Sequence, residues 1–73
     1  MAEQPNELKK LAAIATDMEL TPDLRAKAQE TMGRMGTHQA LLALLEVAAN
    51  EKLNRGEREL SLKYAMKIVK TGK

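Results

Sequence analysis

Three stop-and-start signals cut this chain into four helix-length segments, and they restrict its fold more than any other feature of the sequence. In Thr21-Pro22-Asp23, Thr21 can cap a helix, Pro22 has the fixed φ that suits the first helical position, and Asp23 favours the positive end of the helix dipole. Gly36 followed by Thr37 reads as a C-terminal glycine meeting the next N-cap. Asn54 with Glu57 three residues on has the spacing of a capping box. Helices are therefore expected at about residues 6–16, 22–35, 38–49 and 55–70.

The apolar residues bear out this division. Leu8, Leu11, Ile14, Ala15 and Met18 recur at helical spacing in the first segment, with Lys9, Lys10 and Ala13 opposite. The second carries Leu24, Ala28, Thr31, Met32 and Met35 on one side, and Gly33 within it costs roughly 1 kcal/mol relative to Ala unless it serves close helix approach. The tight Gly36-Thr37 connection makes helices two and three antiparallel neighbours. Helix three is apolar nearly all round, broken only by Glu46, and is expected at the centre. The chain's apolar composition of Leu, Ala and Met, with few β-branched residues and one aromatic, Tyr64, gives it an all-α character.

Seventy-three residues make a single small domain, residues 1–73, in which every large apolar side chain counts. There is no Cys to staple a small core, which also excludes thiol-ligated metals, redox dithiols and Cys nucleophiles. The chain opens on polar and acidic residues where a secretory leader would be basic and then apolar, and no apolar run approaches the roughly 20 residues that cross a bilayer. A cytoplasmic protein with no membrane contact is the expectation. The net charge of +2 divides unevenly, with −1 on residues 1–36 and +3 on residues 37–73.

Sliding the chain along itself by 33 residues brings Leu8, Leu11, Ala15, Leu20 and Arg25 onto Leu41, Leu44, Ala48, Leu53 and Arg58 unchanged. At the same offset Ile14 meets Val47, Asp17 meets Asn50, cap Thr21 meets cap Asn54, and Met35 meets Ile68, whereas Leu24 meets Glu57 and Lys27 meets Leu60. A period of this length is typical of helical-hairpin solenoids. With a polar residue closing the first helix of each unit and an Arg early in the second, the pattern resembles HEAT-like repeats, including the short kind of phycobilisome-lyase-type proteins. The resemblance implies a scaffold or adaptor. Bilin attachment is not carried over, because no residues match a site for it. Two architectures stand open at this point: a two-repeat hairpin stack and an ordinary four-helix bundle of antiparallel helices.

Function is sought in helix four. Leu60, Tyr64, Ile68, Ser61, Ala65, Val69, Leu62 and Met66 spread over roughly 240° of its circumference, where one-sided packing needs little more than 100°. If the helix is not covered by its own fold, Leu62, Met66 and Val69 face a protein partner or a second copy while Leu60, Tyr64 and Ile68 pack inside, or the reverse. The alternative reading is a nucleic-acid-associated accessory protein using a basic strip of Arg58, Lys63, Lys67 and Lys70, although a solvated face explains such a strip as well. Helices two and three do not read as a DNA-binding pair, since the third offers Leu and Ala where base edges demand polar groups. His38, the single histidine, has no second His or Cys with which to complete a metal site. Glu46 is expected at the rim or beside a basic group, and the methionines as core filling. With no paired acids, phosphate-binding glycine loop or activated nucleophile, neither an enzyme nor a cofactor or small-molecule site is inferred.

Overall fold

The computed structural model describes residues 6–71. They form four helices and no strand: α1 (Asn6–Ala15), α2 (Pro22–Met35), α3 (His38–Ala48) and α4 (Arg55–Thr71). The boundaries fall within a residue or so of the expected ones because the caps form. Thr21 is extended (φ −72°, ψ 156°), its Oγ1 accepts from Leu24 N at 3.3 Å, and Pro22 opens α2. Gly36 ends the helix in the left-handed region (φ 65°, ψ 14°), and Thr37 at once caps α3, accepting from Ala40 N at 3.0 Å. Asn54 Oδ1 accepts from Glu57 N at 2.8 Å, while the reciprocal bond to Glu57 Oε2 comes from the Asn54 side-chain amide at 3.3 Å. No helix of the described residues is long and apolar enough to cross a membrane.

The helices pair as two hairpins, α1 with α2 and α3 with α4, laid one on the other so that α1 meets α3 and α2 meets α4. The pair α1 and α4, neighbours in a cyclic up-and-down bundle, do not come together. The order of the helices around the molecule is therefore α1, α2, α4, α3. The loops inside the hairpins repeat as well. Asp17 N donates to Ile14 O and Leu20 N to Asp17 O; 33 residues on, Asn50 N donates to Val47 O and Leu53 N to Asn50 O. Asp17 Oδ1 accepts from Glu19 N, and Asn50 Oδ1 from Lys52 N, both at 2.9 Å.

Leu8, Met32 and Leu44 are fully buried, each worth about 1.5–3 kcal/mol by area. Ala15, Ala28, Ala40, Ala43 and Ala65 fill the spaces between helices, since small side chains let the axes draw close. At Gly33 the approach is closer still: a Cβ there would stand 2.9 Å from Tyr64 Cδ1 and 3.1 Å from its Cγ. The helix-weakening glycine thus makes room for the one aromatic ring.

Two expectations are corrected by the packing. Helix three touches all three others but is not enclosed, for Leu42 and Leu45 are 47% and 41% exposed; a fold two helices deep cannot cover a helix all round. Met18 and Met66, read as core filling, are half exposed; among the described methionines Met32 is fully buried and Met35 packs partly buried against the core. On helix one the side opposite its stripe, Lys9, Lys10 and Ala13, is exposed as expected, and Ile14 of the stripe is exposed as well, beside Leu24 of α2.

Candidate docking surface

Helix α4 buries Glu57, Ser61, Ala65 and Ile68, with Tyr64 half-buried against α2. At 100° per residue these positions occupy one arc, and Leu62, Met66 and Val69 fall on the adjoining arc that the fold leaves uncovered. They are 45%, 51% and 59% exposed. Of the two ways of dividing the helix, the structure takes the one with Ile68 and Tyr64 inside. Leu60, expected with them, is half-buried.

The basic strip does not hold together as expected. Lys63, Lys67 and Lys70 are exposed on the solvent side of α4, but Arg58 is half-buried and its Nε donates to Ala48 O at 2.8 Å. It ties its own hairpin together and is turned away from the lysines by the Leu62 face. Lys67 shares a cleft with Arg34, Glu30 and Tyr64, and Glu30 accepts from Arg34 at 3.1 Å. The positive charge there is already partly countered.

Glu46 is exposed and sits beside a cleft between α1 and α3, lined by Ala12, Thr16 and Val47 among others. His38 is exposed in the first turn of α3. Among the described residues no group of three metal-ligating side chains comes together.

Two features escape a reading of the sequence. The first is a buried ion pair joining the hairpins. Arg25 Nη2 and Nε donate to Glu57 Oε2 and Oε1 at 2.7 and 3.2 Å, and its Nη1 donates to Leu20 O at 2.7 Å and Asp17 O at 3.1 Å. Both side chains are nearly buried. The hydrogen bonding that Arg25 donates to Glu57 raises the Arg25 pKa above its already high ordinary value, against a lowering by desolvation, with smaller contributions from the charges of Glu57 and Asp17. The signal available was a mismatch in the 33-residue self-comparison: Glu57 falls opposite Leu24, and that odd acid is the one Arg25 pairs with.

The second is an apolar groove on the far side of the molecule, lined by Leu11, Ile14, Leu24, Lys27, Ala28 and Thr31. Ile14 is 37% and Leu24 46% exposed. Each looks like an ordinary stripe residue in its own helix. Only the number of layers decides that no described residue covers them.

No protein-family model matches the chain, and neither curated proteins nor solved structures give a match.

Proposed function

We propose that this chain is a small protein–protein interaction module, an adaptor or scaffold unit, that docks through Leu62, Met66 and Val69 of α4. One observation carries the reading: these three large apolar side chains are close to half exposed or more on a helix whose other apolar arc is in the core. A fold this small has few such groups to spare, and contiguous exposed apolar surface on a helix is the usual mark of an interaction site. The reading needs no catalytic step, cofactor or small-molecule substrate. A cytoplasmic setting suits a chain without Cys. The resemblance to HEAT-like repeats supports the same function, because hairpins stacked first helix on first and second on second are what such scaffolds are built from.

The test is capture of partners with the full chain beside Leu62→Glu and Val69→Glu. Both positions are exposed, so each variant keeps its helix content, and binding falls at least tenfold. Retention on a polyanion column that drops with salt but is indifferent to these changes would instead support the reading based on Lys63, Lys67 and Lys70.

A further inference from the structure

The joint between the hairpins shows what the open faces are shaped for. The 33-residue correspondence of the loop hydrogen bonds gives each residue at that joint a counterpart on an outer face. On the side of the joint belonging to the first hairpin, Arg25 grips Glu57 and Gly33 lies under Tyr64. Gln29, four residues from each, lies on the same helix face between them and is fully buried. The counterparts of Arg25, Gln29 and Gly33 are Arg58, Leu62 and Met66, which lie on the open side of α4. Ala12, beside Val47 at the joint, has Leu45 as its counterpart, 41% exposed on α3.

The other side of the joint tells the same story in reverse. Val47, Glu57 and Tyr64 of the second hairpin are turned to the first, and their counterparts are Ile14, Leu24 and Thr31, which line or border the apolar groove of the first hairpin. The molecule therefore ends in two different surfaces, each the relative of one half of an interface it already makes.

We propose that a second copy of this chain stacks head to tail on the first, its Ile14, Leu24 and Thr31 covering Leu45, Leu62 and Met66. The inference rests on the docking reading above and supplies its partner.

Three features fit the copy to this place. Where the joint sets small Gly33 against large Tyr64, the contact between copies sets large Met66 against small Thr31, so bulk is exchanged and kept. Gln29 and Ser61, whose buried side-chain polar atoms find no hydrogen-bond partner among the described residues, have Leu62 and Ala28 as counterparts, and the outer contact is the more apolar there. Stacking head to tail also sets a unit of net charge −1 against one of +3. The Arg25–Glu57 pair is not reproduced, since Leu24 replaces the acid; Asp23 beside it is exposed. A head-to-tail contact between unlike faces continues into larger assemblies unless it closes into a ring.

The experiment is solution mass of the full chain by light scattering from about 10 µM to about 1 mM, a range that brackets weak self-association. The wild type is expected to grow with concentration beyond two copies. Leu62→Glu and Leu24→Lys, the latter set against Arg58 of the other copy, each stay at the 8.1 kDa of one chain. Mixed in equal amounts they form a two-chain species and stop there, because each variant retains the face the other lacks. Helix content by circular dichroism confirms that both are folded, and Thr31→Arg replaces Leu24→Lys if that variant is not. A folded mixture that stays at one chain overturns the proposal, as does a Leu24→Lys variant that assembles like wild type. A wild type that stays monomeric throughout also overturns it; if that monomer still loses partner capture on Leu62→Glu, the docking reading survives and only the identity of the partner falls.

Discussion

Gly33 and Tyr64 show how a single residue choice sets a helix separation. Gly33→Ala gains the roughly 1 kcal/mol of helix propensity that glycine forgoes, but its Cβ meets Tyr64 Cδ1 and Cγ at 2.9 and 3.1 Å, ring atoms close to the backbone that cannot swing away freely. Overpacking of this kind costs about 1–3 kcal/mol, so the net expectation is a loss of about 1 kcal/mol. In a Tyr64→Ala background the same change gains stability, and urea unfolding of the four proteins reads the reversal of sign. Ser61 leads to the opposite expectation. Its hydroxyl is buried without a partner among the described residues, so Ser61→Ala raises stability by about 1 kcal/mol, measured in the same way. The role of Gly33 was legible, because a mid-helix glycine needs a reason. The isolation of Ser61 was not, since a serine on a helix reads as solvated until the packing is known.

Each helix is bounded by short-range chemistry, which explains why the elements were legible to within a residue or so. Thr21, Thr37 and Asn54 each accept from an N–H three residues on, and that bond needs nothing beyond its own segment. Thr37→Ala therefore costs about 1 kcal/mol, seen as a lowered denaturation midpoint. The joint between hairpins depends on partners 32 residues apart, which no local pattern displays. Arg25 and Arg58 look alike in sequence, yet Arg25 binds across the joint and to two loop carbonyls whereas Arg58 reaches only Ala48 O. Arg25→Ala should lower the melting temperature far more than Arg58→Ala, since it strands the buried Glu57 carboxylate. Equal losses would mean that both arginines act only within their own hairpins.

At the scale of the whole molecule, two layers of helices with a Cα radius of gyration of 11.2 Å cannot enclose four apolar stripes of this width. The surplus on α4 was visible in the sequence as an arc too wide for one-sided packing. The surplus on the first hairpin was divided between α1 and α2, neither over-wide alone, and shows only in the packing, which leaves Ile14 and Leu24 exposed. Arg58 was misplaced for a different reason: it is close to the lysines in sequence, but at 100° per residue it lies more than 100° around the helix from each of them, and the carbonyl that holds it belongs to another helix. Because the Leu62 face is outside the core, Leu62→Glu is expected to change folding stability by less than about 1 kcal/mol while removing association. The most direct measurement is photo-crosslinking from a benzophenone side chain placed at position 66, compared with one at position 63 on the solvent side of the same helix. Adducts to another chain from position 66 and none from position 63 are the predicted result. Equal yields from both positions, or none from position 66 where the protein is at work, would contradict the claim that this face of α4 is a docking surface.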